Sequence, residues 1–323
     1  KFKVMNCVLG IDTSCYTTSI AVVDSNKKLI VEHRQLLRVP ASQKGLQQSA
    51  AVFQHVQILP ALLEKVLTEV APSDLRGVIC STRPRPQERS YMPVFTVGSG
   101  FGKTLANSLK IPFIPTSHQE GHIMAGIWSS QAKFPRQFLV VHLSGGTSEL
   151  LLVNNCNNKG SFFDVELLGG TTDLHAGQLV DRVGVALGQP FPAGPYLEAL
   201  AKKSQRALTI PSFVDKYEFS FSGAETRLKK LLTDNVAPEE IAHAVESCIA
   251  KTIEKVLRRA IFEYKVYDVL IVGGVANNNY IRHRLKVRLE HPAINARLYF
   301  AKSNLSSDNA VGVALLGTYA QKI

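Results

Sequence analysis

The chain has 323 residues, enough for two ordinary domains or for one two-lobed enzyme. Hydrophobic residues make up 45% and charged residues 20%, a composition that excludes a disordered or collagenous chain. The 37 basic and 26 acidic residues leave a formal net charge of +11, which favours a polyanionic partner, nucleic acid first. A merely basic enzyme remains the alternative.

Cysteine usage and hydropathy predict a cytoplasmic protein without a membrane contact. The five Cys are scattered, which fits reduced thiols better than a disulfide framework. The sequence contains no run of about eighteen apolar residues, so we expect no transmembrane helix. Residues 1–8 lack the apolar stretch of a secretory signal.

The first part of the chain predicts strands followed by helices. Apolar β-branched runs indicate the strands, and apolar residues at helical spacing indicate the helices. In chain order the predicted elements are strands at Cys7–Asp12, Ser19–Asp24 and Leu29–His33, a helix at Gln47–Glu69, a strand at Gly77–Ser81, and helices at Gly100–Leu109 and His118–Trp128.

From residue 138 the plan of strand, Gly/Ser/Thr turn and strand starts again, a weak sign of internal duplication. Alternating strands and helices favour α/β layers, with a boundary between two lobes at Gln131–Arg136. The predicted elements are strands Phe138–Leu143 and Glu149–Val153, helices Leu174–Leu187, Pro195–Lys203, Ala224–Thr233 and Pro238–Tyr264, strand Val269–Val272, helix Asn279–Leu289, strand Arg297–Ala301 and a closing helix Asp308–Gln321.

The sharpest local motif is a pair of histidines in Ser117-His118-Gln119-Glu120-Gly121-His122. His118 and His122 are four residues apart, so on a helix both imidazoles project from one face, as ligands of a divalent transition metal do. Glu120 is not adjacent to the first histidine, so the metalloprotease pattern is absent. Two ligands leave a metal site incomplete, and two ordinary helical histidines remain the alternative.

Three turns rich in glycine and hydroxyl groups leave predicted strands. Glycines let backbone N–H groups approach phosphate oxygens, although each such motif alone is more often a plain turn. None matches the P-loop or the Rossmann pattern. The turns are Asp12-Thr13-Ser14-Cys15, Ser144-Gly145-Gly146-Thr147 and Gly273-Gly274-Val275-Ala276-Asn277-Asn278.

Asp181 is a third candidate, between the glycine-rich stretch Gly169–Asp173 and the segment Phe191–Pro195. A carboxylate within this predicted helix suits the two hydroxyls of a ribose. The alternative is a surface Asp that pairs with Arg182 or another neighbour.

Together these motifs resemble the TsaD or Gcp family of tRNA threonylcarbamoyltransferases over nearly the whole chain, in both order and spacing. The resemblance rests on Gly10-Ile11-Asp12-Thr13-Ser14-Cys15, His118-Gln119-Glu120-Gly121-His122, Ser144-Gly145-Gly146, Asp181, Pro192–Pro195, Phe219-Ser220-Phe221-Ser222-Gly223, Gly273-Gly274-Val275 and Ser307-Asp308-Asn309.

The resemblance implies an α/β, two-lobed, actin- and hexokinase-like (ASKHA) fold with duplicated βα lobes and a central nucleotide cleft. The first lobe is expected at residues 1–130, completed by a C-terminal helix at 303–323, and the second at 131–302. It also implies Asp308 as the third ligand, beside His118 and His122, of one iron or zinc ion.

The resemblance further implies an adenine nucleotide, ATP or threonylcarbamoyl-AMP, with Mg²⁺ as a candidate companion. Asp12 and Ser144 are the candidate catalytic residues. The candidate partners are tRNA, a shortened TsaB-like paralogue and a small ATPase, with a homodimer as a further alternative. The candidate nucleotide-binding residues are Ser144, Gly145, Gly146, Thr147, Ser148, Asp181, Gly194, Gly273, Gly274 and Asn278.

The sequence departs from the family pattern around the candidate reacting group, which indicates a divergent paralogue. An acidic pair is replaced by Tyr16-Thr17, a His-Thr by Thr147-Ser148, and a Lys by Glu225. Between Asp173 and Asp181 two carboxylates are lost, and Arg83–Pro93 replaces a Pro-Gly loop.

Four functions follow from these observations. The first is metal-dependent transfer of threonylcarbamoyl to the N6 amine of a tRNA adenosine, and the second an ATP-hydrolysing or regulatory paralogue that binds metal and nucleotide. A kinase sharing the fold lacks an evident base, and a metalloprotease lacks a suitable Glu. Any tRNA contact is expected at Arg83–Arg89 with Tyr91, at Arg227, Lys229 and Lys230, or at Arg282, Arg284, Lys286 and Arg288, each of which is otherwise a solvated face.

Overall fold

A computed structural model of the chain describes residues 6–14, 16–40, 46–87, 89–155 and 162–320. The chain divides into two compact units. The first comprises Lys1–Ala132, Cys156–Phe163 and Ser307–Ile323, and the second Lys133–Asn155 and Asp164–Ser306.

Twelve strands and ten α-helices lie in the described residues. In chain order they are β1 (Cys7–Ser14), β2 (Thr17–Asp24), β3 (Leu29–Leu36), α1 (Gln48–Glu69), β4 (Leu75–Arg83), α2 (Phe95–Leu109), β5 (Phe113–Ser117), α3 (His118–Ser130), β6 (Gln137–Leu143), β7 (Ser148–Asn155), β8 (Phe163–Gly170), α4 (Ala176–Ala186), α5 (Gly194–Ala201), β9 (Phe213–Asp215), β10 (Glu218–Ser220), α6 (Ser222–Thr233), α7 (Pro238–Tyr264), β11 (Asp268–Val272), α8 (Asn279–Leu289), β12 (Arg297–Phe300), α9 (Ser303–Ser306) and α10 (Val311–Gly317).

The first unit is built on a sheet of strand order β3-β2-β1-β4-β5. The first three strands are antiparallel, and β4 and β5 run parallel to β1. A Cβ on Gly10 would meet Ala314 of α10, whereas the next residue, Ile11, contacts Gly98 of α2. Successive strand residues face opposite sides, so α2 and α10 cover opposite faces of this sheet.

The second unit has a sheet of order β12-β11-β6-β7-β8. Apolar side chains of this sheet and of the long helix α7 share one buried core. Read from β8, the order is three consecutive strands followed by two later ones, the same plan as in the first unit. This repeated plan confirms the predicted duplication. The sequence analysis missed β8 because its residues are mostly exposed or half-buried and mixed in polarity, so no apolar run marks it.

The predicted closing helix Asp308–Gln321 is present as the shorter α10, and the predicted bounds are wrong. The chain forms α9, a connection that holds Asp308, and then α10; Gln321 lies outside the described residues. The Asn309 side-chain oxygen accepts hydrogen bonds from the amides of Val311 and Gly312, at 3.0 and 3.3 Å, which favours a helix start after Asn309. The sequence 303–323 is therefore not one helix.

Candidate functional site

The start of α3 is fixed by a capping box. Ser117 Oγ accepts from the amide of Glu120 at 3.2 Å, and the Glu120 carboxylate accepts from the amide of Ser117 at 2.9 Å. His118 is therefore the first helical residue, and His122 lies one turn further on the same face.

Three donor atoms of the first unit converge on one point. His118 Nε2 lies 3.1 Å from His122 Nε2, and the Oδ1 of Asp308 lies 3.2 Å from His122 Nε2 and 3.4 Å from His118 Nε2. The structure thus brings the three predicted ligands together, although 186 residues separate His122 from Asp308.

The triangle has the dimensions of a metal-binding face. Ligands about 2.1 Å from a metal are about 3.0 Å apart at right angles and about 3.4 Å apart at the tetrahedral angle. Two imidazole nitrogens and one carboxylate oxygen suit zinc or iron. The donor set therefore fits one divalent transition metal with positions left open for a substrate.

Asp12 orients the first of these ligands. Its side chain is fully buried, and its Oδ1 accepts from His118 Nδ1 at 3.0 Å and from the Ser81 hydroxyl. The ring of Phe95 lies against His118, with centroids 5.8 Å apart. A proton held at Nδ1 leaves the lone pair of Nε2 directed at His122 and Asp308.

The groups of this cluster shift one another's pKa values. Burial disfavours an imidazolium at His118, but Asp12 and Asp308 outweigh burial and raise the pKa of His118 well above its usual range. Burial, together with the charge of His118, lowers the pKa of His122. Burial alone would raise the pKa of Asp308, yet its contacts with both imidazoles hold the pKa of that carboxyl well below its usual range. A divalent cation would take the place of the proton on His118.

Glu120 has a structural task. Its Oε2 accepts from Thr116 and Ser117, and its Oε1 accepts from the amide of Phe162 at 3.1 Å. Both oxygens are engaged at the helix start, so this carboxylate is not placed as the general base of a metalloprotease, as the sequence analysis expected.

The basic loop that begins at Arg83 starts beside the metal-site helix. Arg83, the last residue of β4, pairs with Ser117 of β5, and the amide of Gln119 donates to the Pro84 carbonyl at 3.0 Å. Tyr91 is 69% exposed. Glu88 lies outside the described residues. The loop predicted for tRNA contact is therefore anchored next to His118.

In the second unit, the Ser144–Ser148 turn meets the start of α4. The amide of Ala176 donates to Ser148 Oγ at 2.8 Å, and the amide of Gly177 donates to the Ser144 carbonyl at 3.1 Å. Gly145 and Gly146 are exposed, and a Cβ on either would meet nothing within 4 Å. The turn leaves open space at its backbone, as a phosphate site requires.

Asp181 lies in the second turn of α4, and its side chain binds the backbone of the next candidate segment. Its Oδ1 accepts from the amide of Ala193 at 2.8 Å, which fixes the backbone just before Gly194. Burial raises the pKa of Asp181, while this hydrogen bond acts in the opposite direction. The ion pair with Arg182 considered above does not form, because Arg182 bonds Glu225.

The third glycine-rich turn, Gly273–Asn278, contacts the end of β6. Gly273 has a φ of 97°, and a Cβ there would lie 2.2 Å from the Leu143 carbonyl, so only glycine fits. Asn278 caps α8 by accepting from the amide of Ile281, and its Nδ2 donates to Glu246 at 2.9 Å. A Cβ on Gly274 would meet nothing within 4 Å, so the backbone there is open.

One predicted departure from the family pattern, Glu225, has local partners, and so has the nearby Asp173. Glu225 is buried and lies 3.2 Å from Arg182 and 2.7 Å from Lys229. Asp173 accepts from the hydroxyls of Ser220 and Ser222, each at 2.5 Å. The chain therefore compensates the reversed charge within the same unit.

One predicted basic group is largely engaged within the protein. Arg284 and Arg288 lie 2.7 and 2.9 Å from the buried Glu254. Arg282 donates to the carbonyls of Ala276 and Ala301. These three arginines are bound within the protein, which argues against the predicted tRNA contact at this helix.

The sequence analysis missed Ser81 and Phe95, which contact Asp12 and His118, and Glu246, which contacts Asn278. Each lies far along the chain from the residue it contacts, and none belongs to a recognisable motif. Only the strand pairing and the helix packing bring these residues into contact.

Comparison with solved structures defines the class of fold. HypF of T. kodakarensis matches with a TM-score of 0.63 at 15% identity, over 99% of this chain and 49% of that chain. Component A of the Acidaminococcus fermentans (R)-2-hydroxyglutaryl-CoA dehydratase matches with a TM-score of 0.56 at 16% identity, over 98% of this chain and 99% of that chain. These similarities confirm the predicted two-lobed, ASKHA-like α/β fold.

The family follows from the sequence comparisons. The model of the TsaD family, tRNA N6-adenosine threonylcarbamoyltransferase, matches residues 36–315, and the chain belongs to that family. A tRNA N6-adenosine threonylcarbamoyltransferase of Sulfurihydrogenibium sp. (strain YO3AOP1) is 31% identical, over 96% of this chain and 89% of that protein. One of Enterococcus faecalis (strain ATCC 700802 / V583) is 32% identical, over 98% of this chain and 90% of that protein. Across the described residues, no helix has the length and apolar character to cross a bilayer.

Proposed function

We propose that this member of the family is a cytoplasmic, metal-dependent tRNA N6-adenosine threonylcarbamoyltransferase that uses threonylcarbamoyl-AMP. The observation that carries the proposal is the triangle of His118 Nε2, His122 Nε2 and Asp308 Oδ1, with edges of 3.1 to 3.4 Å. Together with family membership, this triangle supports a single metal at the reacting group.

His118, His122 and Asp308 would hold one iron or zinc ion. Such an ion supplies a Lewis acid for the carbamoyl oxygen when bound. Asp12 keeps the proton on His118 Nδ1, so its task is to position a ligand. We therefore assign Asp12 to positioning rather than to direct contact with the substrate.

The turns of the second unit would hold the adenylate. The open backbone of Ser144–Ser148 suits the phosphate, and Asp181 suits the ribose hydroxyls. Ser144 Oγ accepts from the Gly146 amide at 3.3 Å, so this serine shapes the turn. Gly194, Gly273, Gly274 and Asn278 would complete the site. Holding both reactants in a fixed orientation supplies much of the rate.

The protein environment of the reaction is part of the same proposal. The tRNA would reach the metal site beside Arg83 and Tyr91, whose loop is anchored at the start of α3. A TsaB-like paralogue and a small ATPase are the proposed partners, and a homodimer is the alternative to them. Mg²⁺ is the proposed companion of a bound ATP.

The test is transfer of labelled threonine to tRNA. Purified protein is incubated with radiolabelled threonine, bicarbonate, ATP, the adenylate-forming enzyme, the partner proteins and unmodified tRNA. We expect incorporation by the native chain, none by His122→Ala, and full incorporation by His283→Ala, whose histidine is exposed on α8. Absence of incorporation by the native chain would overturn the proposal.

A paralogue with an ATP-hydrolysing or regulatory role is the second candidate. Thr147 and Glu225 stand where the family has His and Lys, and Glu225 is paired within the protein. Nucleotide and metal binding without any transfer, with ATP hydrolysis stimulated by a partner, would favour this candidate.

A further inference from the structure

The outer face of α7 carries a row of cations beside the β9–β10 hairpin. Lys251, Lys255 and Arg259 are four residues apart, so they follow one face at steps of about 6 Å. Lys255 Nζ donates to Ser212 Oγ at 2.8 Å, and the hydroxyl of Tyr217 donates to Glu263. The hairpin therefore lies along α7 over two helical turns. We name residues 212–218 and 251–267 the α7 ridge.

Aromatic side chains are exposed on the α7 ridge. Phe213 is 60% exposed and Phe262 72%, and Tyr264 and Tyr267 are also open to solvent. Lys265 Nζ lies 4.1 Å from the centroid of the Phe262 ring. Single exposed apolar residues are common on protein surfaces, but a cluster of aromatic rings among cations indicates a binding surface.

The charge of the α7 ridge is positive. The cations of the ridge outnumber its surface carboxylates. One of these carboxylates, Glu263, is bound by Tyr217 and by Arg259, the latter at 2.7 Å. Lysine is depleted at protein–protein interfaces, whereas cations interleaved with aromatic rings are typical of surfaces that bind single-stranded nucleic acid. The cations are Lys216, Lys251, Lys255, Arg258, Arg259 and Lys265, and the surface carboxylates are Asp215, Glu218 and Glu263.

We propose that the α7 ridge is an RNA-binding surface, on which Lys255 and Arg259 contact backbone phosphates and Phe213 and Phe262 stack on unpaired bases. This inference rests on the proposed function for the identity of the RNA, which is tRNA. The α7 ridge belongs to the second unit, whereas the Arg83 loop belongs to the first.

Binding of an unmodified tRNA transcript to the full chain tests the proposal, without threonine, bicarbonate or ATP. The double variant Lys255→Glu/Arg259→Glu should bind at least about tenfold more weakly and show a smaller dependence of affinity on salt, by about 0.7 in slope for each lost single-strand phosphate contact. Phe262→Ala should bind about fivefold more weakly or worse, with the slope unchanged.

Matched variants separate the ridge from general charge and apolar effects. Lys65→Glu and Phe53→Ala change exposed residues of α1 in the first unit and should leave tRNA affinity unchanged. The conservative variant Lys255→Arg should bind as the native chain does, and circular dichroism confirms that the variants fold. Unchanged affinity and slope in the double variant would overturn the proposal. So would a loss of self-association in these variants with tRNA binding intact, because the ridge would then be a protein interface.

Failure of the proposed function gives a different result. A chain that transfers no threonine but binds tRNA through the α7 ridge contradicts the transfer alone, because binding is measured without the reaction.

Discussion

Asp12 Oδ1 lies 3.0 Å from the Nδ1 of His118, although 106 residues separate the two in the chain. The contact joins the end of the buried strand β1 to the first residue of α3. A proton on Nδ1 that Asp12 accepts leaves Nε2 as the ligand atom once a cation replaces the second proton of His118. The geometry of the candidate metal site therefore depends on a buried carboxylate as well as on the three candidate ligands.

The variant Asp12→Asn should bind zinc about 10- to 100-fold more weakly than the native chain, because a neutral amide is a poorer acceptor for the Nδ1 proton. Competition with a chromophoric chelator measures the affinity without any activity assay. The variant Asp234→Asn removes an exposed carboxylate at the end of α6 and should bind zinc normally. Equal zinc affinities of Asp12→Asn and the native chain would contradict the positioning role of Asp12.

The variant Gly312→Ala should destabilise the protein by about 1–3 kcal/mol and reduce its metal content. A Cβ at Gly312 would lie 1.9 Å from the Gly121 carbonyl of α3, so α10 must move and Asp308 with it. Thermal unfolding and metal analysis of the purified variant measure both effects. The variant Gly100→Ala changes a glycine of α2 at which a Cβ would meet nothing within 4 Å, so this variant should be as stable as the native chain or more stable.

The variant Glu225→Lys should lower the free energy of unfolding by about 2 kcal/mol, although it introduces the residue that the family resemblance led us to expect. The new cation would face Arg182 and Lys229, which the native Glu225 pairs at 3.2 and 2.7 Å. Urea unfolding measures the loss. The double variant Arg182→Glu/Glu225→Lys should recover part of it, and a lack of any recovery would contradict the pairing.

The contribution of Asp173 to stability should depend on pH. The slight burial of this carboxyl alone would raise its pKa. The hydrogen bonds from the hydroxyls of Ser220 and Ser222 outweigh burial and hold the pKa of Asp173 well below its usual range. A lowered pKa gives stability that is present above the unfolded value of about 4 and is lost as the pH falls through the folded value.

The variant Asp173→Asn should therefore lower the free energy of unfolding by about 1 kcal/mol at pH 7, a figure reduced for solvent exposure, and by less at pH 3. Urea unfolding at the two pH values provides the measurement. A difference of the same size at both would show that the charge of Asp173 contributes nothing.

Much of this architecture could be predicted from the sequence because the signals are local. The buried strand β1 is an apolar run, and α7 begins at Pro238 and keeps its helical spacing to Tyr264. The spacing of His118 and His122 predicts one helical face, and the capping box at Ser117 and Glu120 fixes it. Periodicity and caps act within a few residues, so they are readable along the chain.

The rest depends on contacts between distant segments. The start of α10 is set by the Asn309 cap, a local signal that the predicted helix start at Asp308 missed, and by packing against Gly121, which no local pattern shows. The contacts of Ser81 and Phe95 with the metal site arise from strand pairing and helix packing. The third ligand came from a family resemblance, since spacing alone does not relate Asp308 to His122.

We propose that His118, His122 and Asp308 hold one metal ion that the transfer requires. The most direct measurement titrates metal-stripped protein with iron or zinc and follows threonine incorporation into tRNA in the presence of the adenylate-forming enzyme and the partners. We expect no incorporation by the stripped protein and a rise that saturates near one equivalent of metal in the native chain, with no rise in His122→Ala. Full incorporation by the stripped native chain would contradict it.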